Sequence, residues 1–170
     1  MAAMVNGGTY FKPTFLAHED DAQPAGTQVI KRRTSDKIRK LFRLVVAEGT
    51  GRKAAAPGYM VGGKTGTAEI ATKTGYDRKR MVTSFIAAFP MHDPKIITLV
   101  LMDTPKGTKE TFGYATAGWT AAPAIAEIVP QIAPMLGISP VREDRADLVD
   151  KLAIPAAAFL KKGRKNGATF

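Results

Sequence analysis

The stretch Pro57-Gly58-Tyr59-Met60-Val61-Gly62-Gly63-Lys64-Thr65-Gly66-Thr67-Ala68 decides how this chain is read. Two structures fit its letters. As G-x-x-x-x-G-K-T, Gly58 to Thr65 spells a phosphate loop, and Asp103, at the end of an apolar run, stands where a magnesium-binding aspartate would. That arrangement needs a buried strand leading into Gly58 and a helix starting at Lys64, so that free amides meet phosphate. Neither flank supplies it. Lys53-Ala54-Ala55-Ala56-Pro57 is no buried strand, and Thr65-Gly66-Thr67 opens a helix poorly. Gly66 alone weakens a helix by about 1 kcal/mol relative to alanine. In a strand, by contrast, Thr65 and Thr67 point to one face, because side chains alternate. Two hydroxyls on one face can converge on a single carboxylate. Lys64 adds positive charge on the adjoining side. Gly66 leaves the strand edge bare, open to hydrogen bonding by an extended peptide. The Thr67 amide is a candidate oxyanion donor.

Outward from this stretch the hydrophobic pattern changes period. Residues 59–70 read as an extended strand, 71–80 as a polar connection through Gly75, and 81–89 as a second strand. Residues 90–94 form a turn. The run 96–102, IITLVLM, is nearly continuous in apolar side chains and suits a central strand covered on both faces. Three consecutive strands with short connections predict an antiparallel meander.

Upstream, Ile38, Leu41, Phe42, Val45 and Val46 recur at helical spacing, with Thr34 or Ser35 as the expected cap. Lys37, Arg39, Lys40 and Arg43 fill the opposite face, which predicts a solvated basic surface. Gly49-Thr50-Gly51 ends this helix, and residues 52–58 read as a loop. The opening Met1 to Gly8 reads as the last turns of a helix stopped by Asn6-Gly7-Gly8. Residues 9–16 are a short extended piece, and Glu19-Asp20-Asp21 with Pro24 mark a loop. Downstream, 116–136 reads as an apolar helix with Trp119, Ile125, Ile128, Val129, Ile132 and Leu136 in its stripe. Pro123 suits its first turn, whereas Pro130 and Pro134 should kink or end it. From 139 the chain becomes mixed in charge and then basic. The last dozen residues read as a frayed tail.

Composition narrows the chemistry. With 170 residues, 45% hydrophobic and 24% charged, the chain suits one globular domain rather than a disordered segment. The absence of cysteine excludes disulfides, thiolate nucleophiles and thiolate metal sites. The two histidines, His18 and His92, lack ligand spacing and read as surface or turn residues. Net charge is +10, which raises an anionic partner such as nucleic acid. The basic strip of Lys31-Arg32-Arg33, Lys37, Arg39, Lys40 and Arg43 has no interleaved aromatics and no nucleic-acid motif. It is read as a solvated face, and nucleic acid is not expected as a partner. No stretch reaches the roughly 18 apolar residues that span a bilayer.

Several segments together resemble one family. They are residues 1–10 (MAAMVNGGTY), Arg39-Lys40-Leu41, residues 45–51 (VVAEGTG), residues 57–68 with their K-T-G, and residues 84–90 (SFIAAFP). In this order they resemble the C-terminal half of a class B penicillin-binding protein, and most nearly the division-type peptidoglycan D,D-transpeptidase. Residues 114–136, with Ala121-Ala122-Pro123, resemble its closing helix. The resemblance covers about 1–138 and leaves 139–170 as a mixed-charge to basic tail, partly disordered.

The resemblance implies an α+β fold of the α/β sandwich type: an antiparallel sheet flanked by helices, as in the penicillin-binding protein and serine β-lactamase-like transpeptidases. It implies substrate binding by Lys64, Thr65, Gly66 and Thr67, on one wall of the cleft. No cofactor and no metal are implied. The implied ligands are a peptidoglycan stem peptide ending in D-Ala-D-Ala and, in the intact enzyme, β-lactam antibiotics. Cell-division proteins are implied partners. The implied location is the periplasmic face of the bacterial inner membrane, with an anchor outside this chain. The family also needs S-x-x-K and S-x-N. Of the three serines, Ser35 is followed by Asp-Lys-Ile, Ser84 by Phe-Ile-Ala and Ser139 by Pro-Val-Arg. The chain therefore reads as a C-terminal part that carries the substrate wall without the nucleophile, and is expected to be inactive alone. The readings from other classes are the phosphate-loop protein, through Gly58–Thr65 and Asp103, and a non-catalytic basic interaction module.

Overall fold

The computed structural model describes residues 1–15, 25–73, 75–152 and 154; for Arg78 and Lys79 it describes the backbone only. The expected acidic loop at 19–21 and the basic end of the tail lie outside the described residues. In chain order the elements are α1 (Ala2–Val5), β1 (Thr9–Tyr10), β2 (Thr27–Gln28), α2 (Arg32–Ala47), a 3-10 turn (Arg52–Ala54), β3 (Gly62–Thr72), β4 (Gly75–Phe89), β5 (Ile96–Asp103), α3 (Ala121–Met135) and α4 (Ala146–Leu152). β3, β4 and β5 form the expected antiparallel meander, and β1 pairs with β2 in a small second sheet. The supposed polar connection after Ala71 is largely strand. β3 runs to Thr72 and β4 already starts at Gly75, whose φ of +130° makes the tight turn. The register slips between Glu69 and Ile70, where the hairpin carries a bulge.

The main core lies between the sheet and α3. Phe85, Ala87 and Phe89 of β4 are fully buried, as are Ala121, Ala122, Ile125, Val129 and Ala133 of α3. From Ala122 onward these α3 positions are spaced by three or four residues, and with Ala121, four before Ile125, they form one face. Each large side chain buried here contributes roughly 1.5–3 kcal/mol. The helix begins five residues later than its apolar pattern suggested, and residues 116–120 are turns that leave Trp119 outside it. Neither Pro130 nor Pro134 ends α3, which runs through both to Met135 with Leu136 as its C-cap. Both prolines sit on its exposed side, whereas Val129 and Ala133 hold the buried side against the sheet.

A second core joins Val5, Met60, Ala88, Met91, Leu148 and Leu152, with Phe42 and Val141 packed on it. The segment after residue 138 thus supplies structure as far as α4. The Val141 amide donates to the Gly58 carbonyl (2.8 Å). Glu143 Oε1 accepts from the Gly58 and Met60 amides at 3.0 and 3.2 Å, and its Oε2 meets Arg43 Nη2 at 2.6 Å.

Helix α2 corrects the expected basic face. It starts at Arg32, three residues before Ser35, and neither Thr34 nor Ser35 caps it. Ser35 is instead buried, donating to the Met4 carbonyl (2.8 Å) and accepting from the Gly7 amide (3.1 Å). Arg39 and Arg43 turn inward. Arg39 donates to the carbonyls of Met91 and His92, and Arg43 donates to the Val61 carbonyl at 2.9 Å. Their long apolar stems cross the helix face while the guanidinium groups satisfy buried carbonyls. Leu41, counted in the apolar stripe, is 48% exposed.

β5 also departs from expectation. Ile96 and Val100 pack on the core, but Ile97, Leu99 and Leu101 on its other face are 40%, 60% and 60% exposed. The strand pairs with β4 and, among the described residues, with no other strand. A continuous apolar run looks the same in sequence whether one face or both are covered.

Candidate functional site

The stretch Lys64–Thr67 is the middle of β3. Thr65 lies opposite Phe85, Gly66 opposite Ser84 and Thr67 opposite Thr83 on β4. No strand leads into Gly58, which follows a 3-10 turn, and no helix starts at Lys64. The phosphate-loop reading is therefore overturned. Gly62 and Gly63 have another reason to be glycine. A Cβ on Gly63 would come within 2.3 Å of the Ile86 carbonyl oxygen, and one on Gly62 within 3.0 Å of the Arg43 amide of α2. These glycines let β3 lie tight against its neighbours. Asp103 ends β5 opposite Val82 and accepts from the Thr104 hydroxyl at 2.8 Å, with no phosphate loop to serve.

Alternation along β3 does what the spacing requires. Thr65 and Thr67 line one cavity of about 660 Å³ together with Gly49, Thr50, Arg52, Lys53, Thr116, Gly118 and Trp119. Its floor is β3, and its walls come from the turn after α2 and the turn before α3. Those two turns touch closely: a Cβ on Gly118 would sit 2.7 Å from the Thr50 carbonyl oxygen. Thr65 Oγ1 lies 3.0 Å from Thr50 Oγ1, and Thr67 Oγ1 accepts from the Ala117 amide at 3.2 Å. A hydroxyl that accepts from an amide keeps its own proton to donate. The Thr65–Thr50 pair shares one proton between two oxygens and likewise keeps one in reserve. The cleft therefore presents hydrogen-bond donors to an acceptor-rich group such as a carboxylate.

Lys64 does not line this cavity. It lies on the alternate face, and its Nζ turns back to donate to the Thr65 carbonyl at 2.7 Å, with Thr65 Oγ1 at 3.4 Å. Gly66 faces Ser84: a Cβ there would lie 2.6 Å from Ser84 Oγ. The three serines stand apart from the cleft wall. Ser35 is buried between α1 and α2, Ser84 faces Gly66, and Ser139 is exposed beyond α3.

Four cleft features were not singled out from sequence: Thr50, Arg52, Lys53 and Trp119. Lys53 Nζ lies 4.1 Å above the Trp119 ring, within cation–π range. Trp119 in turn stacks on Tyr114, with centroids 5.5 Å apart at 19°, and meets Phe112 edge-on at 5.8 Å. The only signal available was Gly49-Thr50-Gly51, a helix stop, and an indole counted into a helical stripe. Nothing local in the sequence ties residue 53 to residue 119.

Comparison with known proteins agrees on one family. The model described as "Penicillin binding protein transpeptidase domain" matches residues 1–129. The chain is 39% identical over 147 residues to "Probable peptidoglycan D,D-transpeptidase FtsI" of Caulobacter vibrioides, covering 81% of this chain and 25% of that protein. It is 40% identical over 151 residues to "Stage V sporulation protein D" of Bacillus subtilis, covering 82% and 22%. Among solved structures, the transpeptidase domain of Burkholderia pseudomallei penicillin-binding protein 3 aligns with a TM-score of 0.70 at 33% identity, covering 81% of this chain and 40% of that one. The chain spans about a quarter of the length of these curated relatives.

Proposed function

The chain belongs to the penicillin-binding protein transpeptidase family, and on that premise we propose that it forms the K-T-G wall of a peptidoglycan D,D-transpeptidase. In this reading residues 1–138 are the C-terminal portion of the transpeptidase domain, with the segment after 138 as its appendage. The reaction is acyl transfer. A serine outside this chain attacks the penultimate D-Ala carbonyl of a stem peptide, the terminal D-Ala leaves, and an amine of a neighbouring stem resolves the acyl-enzyme. Thr65 and Thr67 hold the terminal carboxylate through their hydroxyls, Gly66 keeps the strand slim, and Lys64 contributes positive charge beside the reacting groups. The Thr67 amide donates to the oxyanion. β-Lactams take the place of the stem peptide. The setting is the periplasmic face of the inner membrane, beside the division machinery. Among the described residues no helix is long and apolar enough to cross a membrane.

One observation carries this proposal: Thr65 and Thr67 open onto a single cavity whose other walls carry two cations and no carboxylate. Because no serine has a lysine three residues on, the chain by itself binds ligand without forming an ester. The test is a titration of the isotope-labelled 170-residue chain with N-acetyl-D-Ala-D-Ala. Amide signals of Thr65, Gly66, Thr67 and Ala117 are expected to move at millimolar peptide, while a fluorescent penicillin leaves no covalent label. Peptide-insensitive signals at all four positions, or shifts there with magnesium–ATP instead, would overturn the proposal.

A further inference from the structure

Two lysines stand near the threonine face, and they are not equivalent. Lys64 belongs to the motif, yet its ammonium is turned back along its own strand onto the Thr65 carbonyl, and it is absent from the cavity lining. Lys53 belongs to no motif, yet it lines the cavity beside Arg52, Thr65 and Thr67. Its ammonium lies over the Trp119 ring, with Nζ 4.1 Å from the centroid. Tyr114 stacks on that ring with centroids 5.5 Å apart. A lysine resting on an indole is held by a contact that consumes none of its three N–H donors. Neither Lys53 nor Arg52 has an acidic partner among the described residues. The cavity lining, four threonines, three glycine and indole surfaces and two cations, carries no negative charge. It is a site short of one anion.

We infer that Lys53, seated on Trp119 and seconded by Arg52, is the cation that meets the carboxylate of the bound peptide, with the hydroxyls of Thr65 and Thr67 as its neutral donors. Lys64, whose Nζ is engaged by the Thr65 carbonyl and lies 3.4 Å from Thr65 Oγ1, supplies positive field beside the hydroxyl and makes no direct pair with that carboxylate. This rests on the proposed D-Ala-D-Ala reading of the cleft, and it assigns a binding role to a residue outside the K-T-G stretch. The chemistry asked of the ligand is a terminal carboxylate; its amide, which has the same shape and lacks the charge, is the discriminating competitor.

The sequence contains a single tryptophan, so the fluorescence of Trp119 reports directly on the cleft. The whole chain is titrated with N-acetyl-D-Ala-D-Ala and with the corresponding peptide amide. The acid is expected to bind about fivefold more tightly than the amide, the size of one partly solvated charge pair. Lys53→Met is expected to equalise the two ligands, Lys53→Arg to retain the preference, and Lys64→Met to retain most of it. Both positions are solvent-facing, so the fold is not at stake. A preference that survives in Lys53→Met, or one abolished by Lys64→Met alone, overturns the inference while leaving the K-T-G wall intact. Acid and amide binding equally in the parent chain would instead remove carboxylate recognition from the cleft altogether, and with it both readings.

Discussion

One strand, β3, meets two different environments along its length. At Gly62–Gly63 it is buried, squeezed between the Ile86 carbonyl of β4 and the backbone of α2. From Lys64 to Thr67 the same strand is exposed or half-exposed, and one of its faces looks into a cleft. Both stretches contain glycine, for different reasons. At Gly63 the obstacle is backbone that cannot move without breaking the β3–β4 pairing. At Gly66 the obstacle is the tip of Ser84, a side chain that can rotate. The buried end fixes where the strand lies, and the open end uses that fixed position to present hydroxyls. Rigid support beside a solvent-open reactive face is what a binding wall requires.

The sharpest way to break this contrast is Gly63→Val. Its Cβ alone would come within 2.3 Å of the Ile86 carbonyl oxygen and 2.6 Å of the Phe85 ring, so the hairpin must separate. A loss of more than about 4 kcal/mol is expected, a large fraction of a small domain's stability. Denaturant unfolding would show it as loss of the cooperative transition, and a midpoint close to the parent's would mean that β3 does not lie this tightly.

A smaller loss is expected on removing the clasp outside the family-matched residues. Glu143 accepts from two backbone amides and pairs with Arg43, which itself reaches the Val61 carbonyl just before Gly62. Glu143→Ala strands those amides and the guanidinium, which are only partly buried. The cost is about 1–3 kcal/mol. If the clasp positions the buried end of β3, hydrogen exchange should rise at Met60 and Val61 and stay unchanged at Thr83, which lies opposite Thr67 on β4. Uniform change across the sheet would show that Glu143 adds stability without local positioning.

The smallest effect belongs to the open end. Gly66→Ala meets only Ser84 Oγ, on the face away from the cleft, and is expected to cost no more than about 1 kcal/mol. Ser84→Gly added to it should recover most of that loss, and ligand-induced Trp119 fluorescence should be nearly unchanged in both variants. A loss as large as that of Gly63→Val would show that the two ends of the strand are equally constrained.

Much of this was legible in residues 57–103. Alternation of Thr65 and Thr67 predicted a shared face, the short connections predicted the meander, and the order of the segments around K-T-G predicted the family. The misreadings share one physical cause: sequence records the polarity of a side chain, not what lies across from it. Arg39 and Arg43 read as a solvated face because charge is normally exposed, and buried carbonyls at Met91 and Val61 turned them inward. The apolar run 96–102 read as doubly covered, and the fold covers one face. Pro130 and Pro134 read as a kink or an end, and with packing on the opposite side of α3 neither ends the helix.

By itself, then, the sequence determined the strand that bears the hydroxyls, the antiparallel order of its neighbours and the family to which the chain belongs. These depend on local periodicity and on motif spacing, which the chain carries along its own length. Only the tertiary structure decided that Thr50, Arg52, Lys53 and Trp119 complete the cleft, that Lys53 rather than Lys64 lines it, and that Glu143 ties residues 58–60 to Arg43. Contacts between residues 53 and 119, or 43 and 143, join turns and helices that are brought together only when the sheet and its flanking helices bury a common core. No local pattern encodes a pairing that exists solely because two distant segments were folded onto the same surface.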